Sequence, residues 1–357
     1  MLRIKVILTL SVLTFFFGTA NAGPFTRLWV FGDSNVDTGW YKVSPWSGSN
    51  SFDIYFQQSS TYGFGKPTTS PGPVSVQVLA RIIGKHARPA NQGGTNYATG
   101  GARNHDTNFS GSGLFPNAVP TETQIDNYVS THTPSGNALY LVSSGDNDVN
   151  FALANPSNYF GDPAVIGPAA VEANQEAYVI DAATTLANKI ASVQATNSIN
   201  YVIVTKLAES FGTPALKQQL RADYNSALKG QLDALSVQYA WADINTVRQQ
   251  INANPAAFGI DSMHLTNASG QRACSDPMSS DPNLASGFAY LCSPTSPISA
   301  PLSSAIAKKS LFADDAHFAT GGQRIIGSYY YCLAKKTWPT LFTTTPAHKP
   351  PIACNKF

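Results

Sequence analysis

The stretch that decides the fold is Trp29–Gly39, which reads "WVFGDSNVDTG". Its first three residues are bulky and apolar, as in a buried β-strand, and the chain then turns through Gly32, Asp33 and Ser34. In an open parallel sheet, ligands bind beyond the carboxyl ends of the strands. Ser34 is therefore either an ordinary turn residue or a nucleophile. The turn is not a G-x-S-x-G elbow, because Val36 stands where that motif requires its second glycine.

Short apolar runs alternate with helical patterns along the chain. Candidate strands are Leu28–Phe31, Leu139–Val142 and Tyr201–Val204, and a helix is predicted over Val74–Ile83. Two more helices are predicted where apolar residues recur at helical spacing, at Val179, Ala183, Leu186, Ile190 and Val193 and at Leu216, Leu220, Tyr224, Leu228, Leu232 and Leu235. This alternation predicts an α/β fold with a mainly parallel sheet covered on both faces. We find no repeat or linker, and expect one domain over residues 23–357.

Two segments do not follow this alternation. Lys42–Pro73 is rich in Ser, Gly, Pro and aromatic residues, and Asn267–Ser304 is rich in Ser and Pro. Long irregular loops in a compact domain are usually functional or disordered. The first segment follows the Ser34 turn directly, so it is either a wall of a substrate site or a plain surface loop.

Composition and the first residues indicate where the protein works. The chain has 357 residues, of which 12% are charged, and a formal net charge of +2, which argues against binding to nucleic acid. Arg3 and Lys5 precede an apolar run over Val6–Gly18, and an A-x-A cleavage site follows at Ala20–Ala22. The run is shorter than the ~20 residues of a transmembrane helix. The pattern predicts a signal peptide over residues 1–22 and a secreted protein, extracellular or periplasmic.

Four cysteines lie in the last quarter of the chain, at Cys274, Cys292, Cys332 and Cys354. In an oxidising compartment they permit three disulfide pairings. We favour the nearest-neighbour pairs, Cys274–Cys292 and Cys332–Cys354. Zinc binding is the alternative, but the chain has no C-x-x-C pair and the spacings are wide.

A serine nucleophile needs a neighbouring base to take its proton. Among six histidines, His317 stands out in "LFADDAHFATGGQ", where Asp314 lies three residues before it. A carboxylate at this spacing can orient the imidazole ring and stabilise the imidazolium ion. The alternative is a solvated acidic loop.

An acyl-transfer site would also need donors for a developing oxyanion. "NYATGGARN" places Gly100 and Gly101 in a tight turn, where a backbone N–H can approach a ligand closely. "LVSSGDNDVN" places Asn147 just after a candidate strand, where its side-chain amide can donate. Each block is otherwise a strand-ending turn. Asp146 and Asp148 suggest calcium, but the glycine of an EF-hand loop is missing.

The blocks "FGDSNVDTG", "NYATGGARN", "GDND" and "DDAH", in this order, resemble the GDSL lipase/esterase family, also called SGNH hydrolases. The resemblance runs from about Leu28 to Gly327. The Ser, Gly, Asn and His that give the family its second name match the residues Ser34, Gly100, Asn147 and His317. The resemblance implies the SGNH hydrolase fold, a flavodoxin-like three-layer α/β/α sandwich with a mainly parallel sheet.

The resemblance also implies a role for each residue. Ser34 attacks an ester carbonyl, and His317 acts as general base and then acid, oriented by Asp314. The N–H groups of Ser34 and Gly100 and the side chain of Asn147 hold the oxyanion. No metal or organic cofactor is required. The expected partner is a small-molecule or lipid ester, which leaves contact with a membrane surface and the oligomeric state open.

Two further stretches narrow the resemblance. "YGFGKPTTSPGPVSVQVLA", together with "INANPAAFGI" and two cysteines before the D-x-x-H block, is similar to secreted bacterial phospholipases, lysophospholipases and haemolysins. That group supports the Cys274–Cys292 pair and a lipid ester substrate. Acyl transfer to an alcohol such as a sterol, hydrolysis of carbohydrate or choline esters, and a silent binding protein are the alternatives. Two residues depart from the family, Asn35 in place of leucine and Phe318 in place of proline.

Overall fold

The computed structural model of the protein describes residues 23–43, 51–104, 115, 117–154, 156–208, 214–268, 270–275 and 288–357. The signal peptide expected over residues 1–22 lies outside these ranges. None of the helices within them combines the length and apolar character that a membrane span requires.

The central sheet has four parallel strands in the order β1-β2-β3-β4. They are β1 (Leu28–Gly32), β2 (Leu139–Ser143), β3 (Tyr201–Lys206) and β4 (Ala240–Asp243). The first three confirm the candidate strands and extend each by one or two residues. Strand β4 was not predicted, because it has four residues, alternates between buried and half-buried positions, and contains no continuous apolar run.

An extended segment over residues 95–99 runs beside β1 on the free edge of the sheet. The N–H of Val30 donates to the Thr95 carbonyl at 3.1 Å, and the N–H of Tyr97 donates to the Val30 carbonyl at 2.8 Å. With this segment counted as the second strand, the order becomes 2-1-3-4-5, as in flavodoxin-like folds. In this order the ligand crevice lies at the switch point between β1 and β2.

Helices cover both faces of the sheet and confirm the α/β/α sandwich. The α-helices are α1 (Ser51–Phe56), α2 (Ser59–Tyr62), α3 (Ser75–Ile82), α4 (Thr121–Thr131), α5 (Asp146–Ala154), α6 (Pro156–Tyr159), α7 (Pro163–Ile166), α8 (Pro168–Asn197), α9 (Ala215–Ala234), α10 (Ile244–Ala253), α11 (Ser304–Lys309) and α12 (Thr320–Thr337). Short 3₁₀ helices occupy Trp40–Lys42, Ala90–Gln92, Pro255–Phe258, Ser262–His264, Phe288–Leu291, Pro339–Leu341 and Cys354–Lys356.

The strands build two cores because successive side chains point to opposite faces of a sheet. Leu28 and Val30 of β1 belong to the core under α3, α10 and α12. Trp29 and Phe31 belong to the core under α4, α5, α8 and α9. The residues at the start of the opening stretch are therefore buried on both faces of the sheet. For this reason the apolar run does not alternate with polar residues.

The predicted helices are present as α3, α8 and α9, while α12 was not predicted. Helix α12 begins at Thr320, and Gly321 and Gly322 in its first turn lie in tight contact with the chain before it. A Cβ atom on Gly322 would lie 2.3 Å from the Leu311 carbonyl oxygen. The close approach fixes the loop that carries His317 against the start of α12.

The two segments expected to be irregular are only partly so. Helices α1 and α2 lie within Lys42–Pro73, and a 3₁₀ helix lies within Asn267–Ser304. The expectation of no regular structure was wrong here because helices of four to six residues are too short to give a recognisable period.

Two disulfides join the cysteines in the pairs expected from the sequence. Cys274 is bonded to Cys292, and Cys332 in α12 is bonded to Cys354 near the C-terminus. The first pair supports the candidate site, because the N–H of Cys274 donates to the Ala313 carbonyl at 3.0 Å. This bond braces the loop that contains the DDAH block.

Candidate active site

The four sequence blocks meet at one cavity of about 440 Å³ beyond the carboxyl ends of the strands. Ser34 lies just after β1, and Asn147 lies in the first turn of α5, just after β2. Gly101 follows the edge segment, and His317 comes from the loop before α12. All four line the cavity. Parallel strands carry the ends of distant segments to the same edge, so the switch point brings the blocks together.

Ser34 sits on a turn that crosses closely over β2. Gly32 has a φ of +139°, and a Cβ atom on it would lie 1.8 Å from the Ser143 carbonyl oxygen, so only glycine fits there. The N–H of Asp33 donates to the same carbonyl at 3.0 Å. Ser34 is left half-buried at the cavity wall.

His317 and Asp314 form the pair that their spacing predicts. The imidazole Nδ1 of His317 lies 2.9 Å from Asp314 Oδ2. Asp314 is fully buried and accepts hydrogen bonds from the backbone N–H groups of Ala289 at 3.0 Å, Ala316 at 2.9 Å and His317 at 2.6 Å. Since Nδ1 is held by the carboxylate, Nε2 is the ring nitrogen available for a reacting group.

The environment shifts both pKa values in the directions a proton-transfer pair needs. Burial opposes the charge of Asp314, but the charge and hydrogen bonds of His317 hold the carboxyl pKa below its ordinary value. Burial also opposes the imidazolium ion, but the charge and hydrogen bond of Asp314 outweigh it and raise the pKa of His317 above 6.5. Asp314 therefore stays ionised while His317 titrates.

Asn147 is oriented for donation into the cavity. Its side-chain Nδ2 donates one hydrogen to the Ala102 carbonyl at 3.0 Å. The amide has a second hydrogen, and Asn147 lines the cavity beside Ser34. The carbonyl of Ala102 thus fixes which end of the Asn147 amide carries the nitrogen.

Gly100, the predicted oxyanion donor, is hydrogen-bonded through both its backbone N–H and its carbonyl. Its N–H donates to Asp37 Oδ2 at 3.1 Å, and its carbonyl accepts from the Tyr41 hydroxyl at 2.7 Å. The neighbour Gly101 lines the cavity instead, with φ at +79°, and its N–H makes no hydrogen bond to any residue that the structure describes. A buried carboxylate needs donors, and Asp37 takes the N–H of Gly100.

Asp37 and Tyr290 are site residues that the sequence did not single out. Asp37 accepts hydrogen bonds from the N–H groups of Gly39 at 2.7 Å and Trp40 at 2.8 Å and from the Tyr290 hydroxyl at 2.9 Å. The Tyr290 ring lies edge-on to the His317 ring, with 5.8 Å between centroids. Asp37 thus connects the serine turn to the glycine turn and the histidine loop. The carboxylate in "VDTG" was the available signal.

Asn35, which replaces the family leucine, joins a polar cluster beside Ser34. Its Nδ2 donates to Asp33 Oδ1 at 2.9 Å and lies 3.3 Å from Asp146 Oδ2. Asp146 forms an ion pair with Arg221 on α9, 2.6 Å between Oδ1 and Nη2. A leucine could make none of these contacts, so Asn35 makes this side of the cavity polar.

Asp33 lies under the serine turn as a fully buried carboxyl. Its Oδ1 accepts from the backbone N–H and from Nδ2 of Asn35, both at 2.9 Å, while Oδ2 has no hydrogen-bond partner among the described residues. Burial, with the nearby charge of Asp146, raises the pKa of Asp33 to about 8. The carboxyl is therefore mostly protonated at neutral pH.

We expect Asp33→Asn to flatten the pH dependence of stability. The folded protein keeps the Asp33 proton up to about pH 8, whereas the ordinary carboxyl pKa is 3.8. The free energy of unfolding therefore falls as pH rises through this window, by about 1.4 kcal/mol per unit. The asparagine keeps the Oδ1 acceptor and removes the titration. Urea unfolding at pH 5 and pH 8 measures the slope.

The control for this experiment is Asp126→Asn, which removes an exposed carboxylate of α4. Its slope between pH 5 and pH 8 is expected to equal that of the unmodified protein. Equal slopes in the unmodified protein and Asp33→Asn would contradict the assignment of the titration to Asp33.

Two comparisons relate the chain to known proteins. The model of the GDSL-like lipase/acylhydrolase family matches residues 28–329. The chain belongs to this family. A segment of 145 residues is also 30% identical to Lipase 1 of Photorhabdus luminescens. The aligned segment covers 39% of this chain and 18% of that relative. The chain thus matches less than a fifth of the relative's length.

In the described parts of the chain, no group of three or more His, Cys, Asp or Glu side chains is placed to hold a metal ion. The chemistry that the described residues offer is that of Ser34, His317 and Asp314, with amide donors around them.

Proposed function

We propose that the protein is a serine hydrolase that cleaves carboxylic ester bonds of lipids. The observation that carries the proposal is that His317, with Nδ1 held by Asp314, lines the same cavity as Ser34. A hydroxyl, an imidazole and a buried carboxylate in this order are the parts of a nucleophilic triad.

In the proposed reaction, His317 Nε2 takes the hydroxyl proton as Ser34 Oγ attacks the ester carbonyl. The tetrahedral intermediate collapses when the carbon–oxygen bond to the alcohol breaks and His317 returns the proton to the leaving oxygen. Water then repeats the sequence on the acyl-enzyme and releases the carboxylic acid. Asp314 keeps the imidazole in the tautomer with hydrogen on Nδ1 and stabilises the imidazolium ion.

The oxyanion is assigned to three donors, the N–H of Ser34, the N–H of Gly101 and Nδ2 of Asn147. This assignment replaces Gly100 by its neighbour, because the N–H of Gly100 is used by Asp37. Preorganised donors of this kind contribute about 10²- to 10³-fold each to the rate.

A lipid substrate is supported by the apolar part of the cavity. Phe115, Leu207, Phe312 and Phe318 line it, and the rings of Phe312 and Phe318 stack at 5.3 Å. Phe318, in place of the family proline, thus adds apolar surface beside His317. The Photorhabdus luminescens relative is named a lipase. Phospholipase or lysophospholipase activity, and acyl transfer from the same acyl-enzyme to an alcohol, are the finer forms of the proposal.

Secretion of a mature chain from residue 23 onward, as one catalytic domain, is part of the proposal. Phe25 is buried and packs edge-on against Tyr201 and Phe342 at 5.5 and 5.7 Å. Phe25, three residues after the A-x-A site, thus already belongs to the packed core. Two disulfides also suit an oxidising compartment.

A fluorophosphonate probe tests the proposal. The probe phosphonylates a serine that is activated by a neighbouring base, so we expect covalent labelling of Ser34, located by mass spectrometry of the tryptic peptides. Hydrolysis of p-nitrophenyl butyrate should fall in proportion to the labelled fraction. Labelling of another serine, or activity that persists in fully labelled protein, would contradict the proposal.

A further inference from the structure

The proposed oxyanion donor Gly101 lies in a β-turn whose central peptide has two possible orientations. The N–H of Ala102 donates to the Thr99 carbonyl at 3.1 Å, so Gly100 and Gly101 are the two central residues of the turn. Gly101 has a φ of +79°, the value of a type II turn. In a type I turn, the ψ of the first central residue and the φ of the second differ from their type II values by about 150° and 170°. The peptide between the two glycines is therefore turned over in one form relative to the other, and the backbone of glycine permits both.

The orientation of this peptide decides which of its groups faces the cavity. A trans peptide is planar, so the carbonyl of Gly100 and the N–H of Gly101 point in opposite directions. The carbonyl of Gly100 accepts a hydrogen bond from the Tyr41 hydroxyl at 2.7 Å. The N–H of Gly101 is therefore directed away from Tyr41, and Gly101 lines the cavity. In the reversed orientation a carbonyl oxygen would replace the donor and would repel an oxyanion.

The Tyr41 hydroxyl is held at the Gly100 carbonyl by the structure around it. Tyr41 is buried and lies in the 3₁₀ helix Trp40–Lys42. Asp37 Oδ1 accepts hydrogen bonds from two backbone N–H groups at the start of that helix, at 2.7 and 2.8 Å. The other oxygen of the same carboxylate accepts the N–H of Gly100. One buried carboxylate therefore fixes both the helix that carries Tyr41 and the residue that Tyr41 binds.

The Tyr290 hydroxyl holds the other side of Gly100. It donates to Asp37 Oδ2 at 2.9 Å, and the N–H of Gly100 donates to the same oxygen at 3.1 Å. A Cβ atom on Gly100 would lie 2.3 Å from this hydroxyl. The φ of Gly100 is not positive, so glycine is required here by the close approach of Tyr290 and not by the backbone conformation.

We propose that Tyr41 and Tyr290 are positioning residues that hold the Gly100–Gly101 peptide with its N–H directed at the oxyanion. Their hydroxyls converge on one buried turn from two distant segments of the chain, residues 40–42 and 288–291. Each hydroxyl acts on the reaction through the turn. This role rests on the proposed ester hydrolysis, in which the N–H of Gly101 is one of three oxyanion donors.

A ketone that mimics the tetrahedral intermediate tests this role. Trifluoromethyl propyl ketone carries the same propyl chain as a butyryl ester. Ser34 Oγ forms a bond to its carbonyl carbon, the serine proton moves to His317, and the electron pair of the carbonyl double bond makes its oxygen an anion. This oxyanion takes the place that the donors are arranged to hold, so the Ki of the ketone depends on them.

We expect Tyr41→Phe to lower kcat for p-nitrophenyl butyrate by about 10- to 100-fold, because the freed peptide turns over and one oxyanion donor is lost. KM should stay within about twofold, since the donor acts in the transition state. The Ki of the ketone should rise by the same factor by which kcat/KM falls. Tyr290→Phe should act in the same direction by about tenfold, because the N–H of Gly100 still binds Asp37.

Tyr239→Phe is the matched control. It also removes a tyrosine hydroxyl that donates to a carboxylate, that of Asp233 at 2.6 Å, but Tyr239 does not line the cavity. Its kcat and Ki should equal those of the unmodified protein. The acid limb of the pH profile should stay in place in all three variants, because His317 keeps its bond to Asp314.

The outcomes separate this role from the proposed function and from a purely structural one. If the unmodified protein does not hydrolyse p-nitrophenyl butyrate, the proposed function fails. If it does, but both cavity variants keep its kcat and Ki, the positioning role is wrong and the hydrolase stands. A fall in kcat with an unchanged Ki also overturns the role, because it means that fewer molecules are folded while the folded ones bind the ketone normally. Thermal unfolding of each variant checks the fold, and Tyr41→Phe decides the question if Tyr290→Phe does not fold.

Discussion

Replacement of Ser34 by alanine is expected to lower kcat for ester hydrolysis by about 10⁴- to 10⁶-fold. The variant keeps the turn, the Asn147 amide and the His317–Asp314 pair, but it has no atom that can attack the carbonyl. Ser34 is half-buried, and its hydroxyl makes no hydrogen bond with a described residue, so the midpoint of thermal unfolding should not change. Hydrolysis of p-nitrophenyl butyrate, with circular dichroism melting, measures both effects.

The control is Ser130→Ala on α4, which removes an exposed hydroxyl that donates to the Asn127 carbonyl. Its kcat should match that of the unmodified protein. If Ser34→Ala kept kcat within tenfold, the nucleophile would have to be another group. The hydrolase proposal, which is supported by the apolar cavity and the family match, would then need a different catalytic residue.

The second large effect is expected from Asp314→Asn. An amide can donate a hydrogen toward Nδ1 of His317, which favours the wrong tautomer, and it cannot stabilise the imidazolium ion. A loss of kcat of about 10³- to 10⁴-fold follows. The asparagine Oδ1 can still accept backbone hydrogen bonds from the 314–317 loop, so the fold should be retained.

The pH profile adds a readout that a purely structural role would not move. His317 acts as a base only when it is neutral, and Asp314 raises its pKa above 6.5. Activity of the unmodified protein should therefore rise with pH through a value above 6.5. In Asp314→Asn, burial acts without the compensating charge, so the acid limb should move to lower pH.

The neighbouring carboxylate provides the matched comparison for this variant. Asp315→Asn removes one negative charge from the same loop, but Asp315 makes no hydrogen bond with His317. It should lower kcat by less than tenfold. Equal losses in the two variants would mean that His317 responds to the total charge of the loop and not to an orienting bond from Asp314.

Continuous apolar runs made the core of the fold predictable. Strands β1 to β3 are buried on both faces, so each reads as an unbroken apolar run. Strand β4 lies at the edge and alternates between buried and half-buried residues, and α12 has two glycines in its first turn, which signal a helix poorly. These two elements were missed because packing against the rest of the sheet, and not their own residues, fixes their structure.

The sequence by itself determined the proposed reacting groups and the short-range geometry between His317 and Asp314. His317 and Asp314 are three residues apart, so the bond from Nδ1 to the carboxylate depends on local backbone alone. Ser34 and Asn147 each follow a candidate strand, and parallel strands place such residues at one edge of the sheet.

Only the tertiary structure decided which neighbouring atoms face the cavity. Gly100 and Gly101 are indistinguishable in sequence, but the buried Asp37 binds the N–H of Gly100 and leaves Gly101 at the cavity wall. Likewise, Lys217 and Arg248 come from two different helices, and no spacing in the chain relates them. Both line the cavity because packing brings α9 and α10 to the same side of the switch point. Local bonds depend on sequence neighbours, whereas electrostatic fields depend on distances that only the packed fold sets.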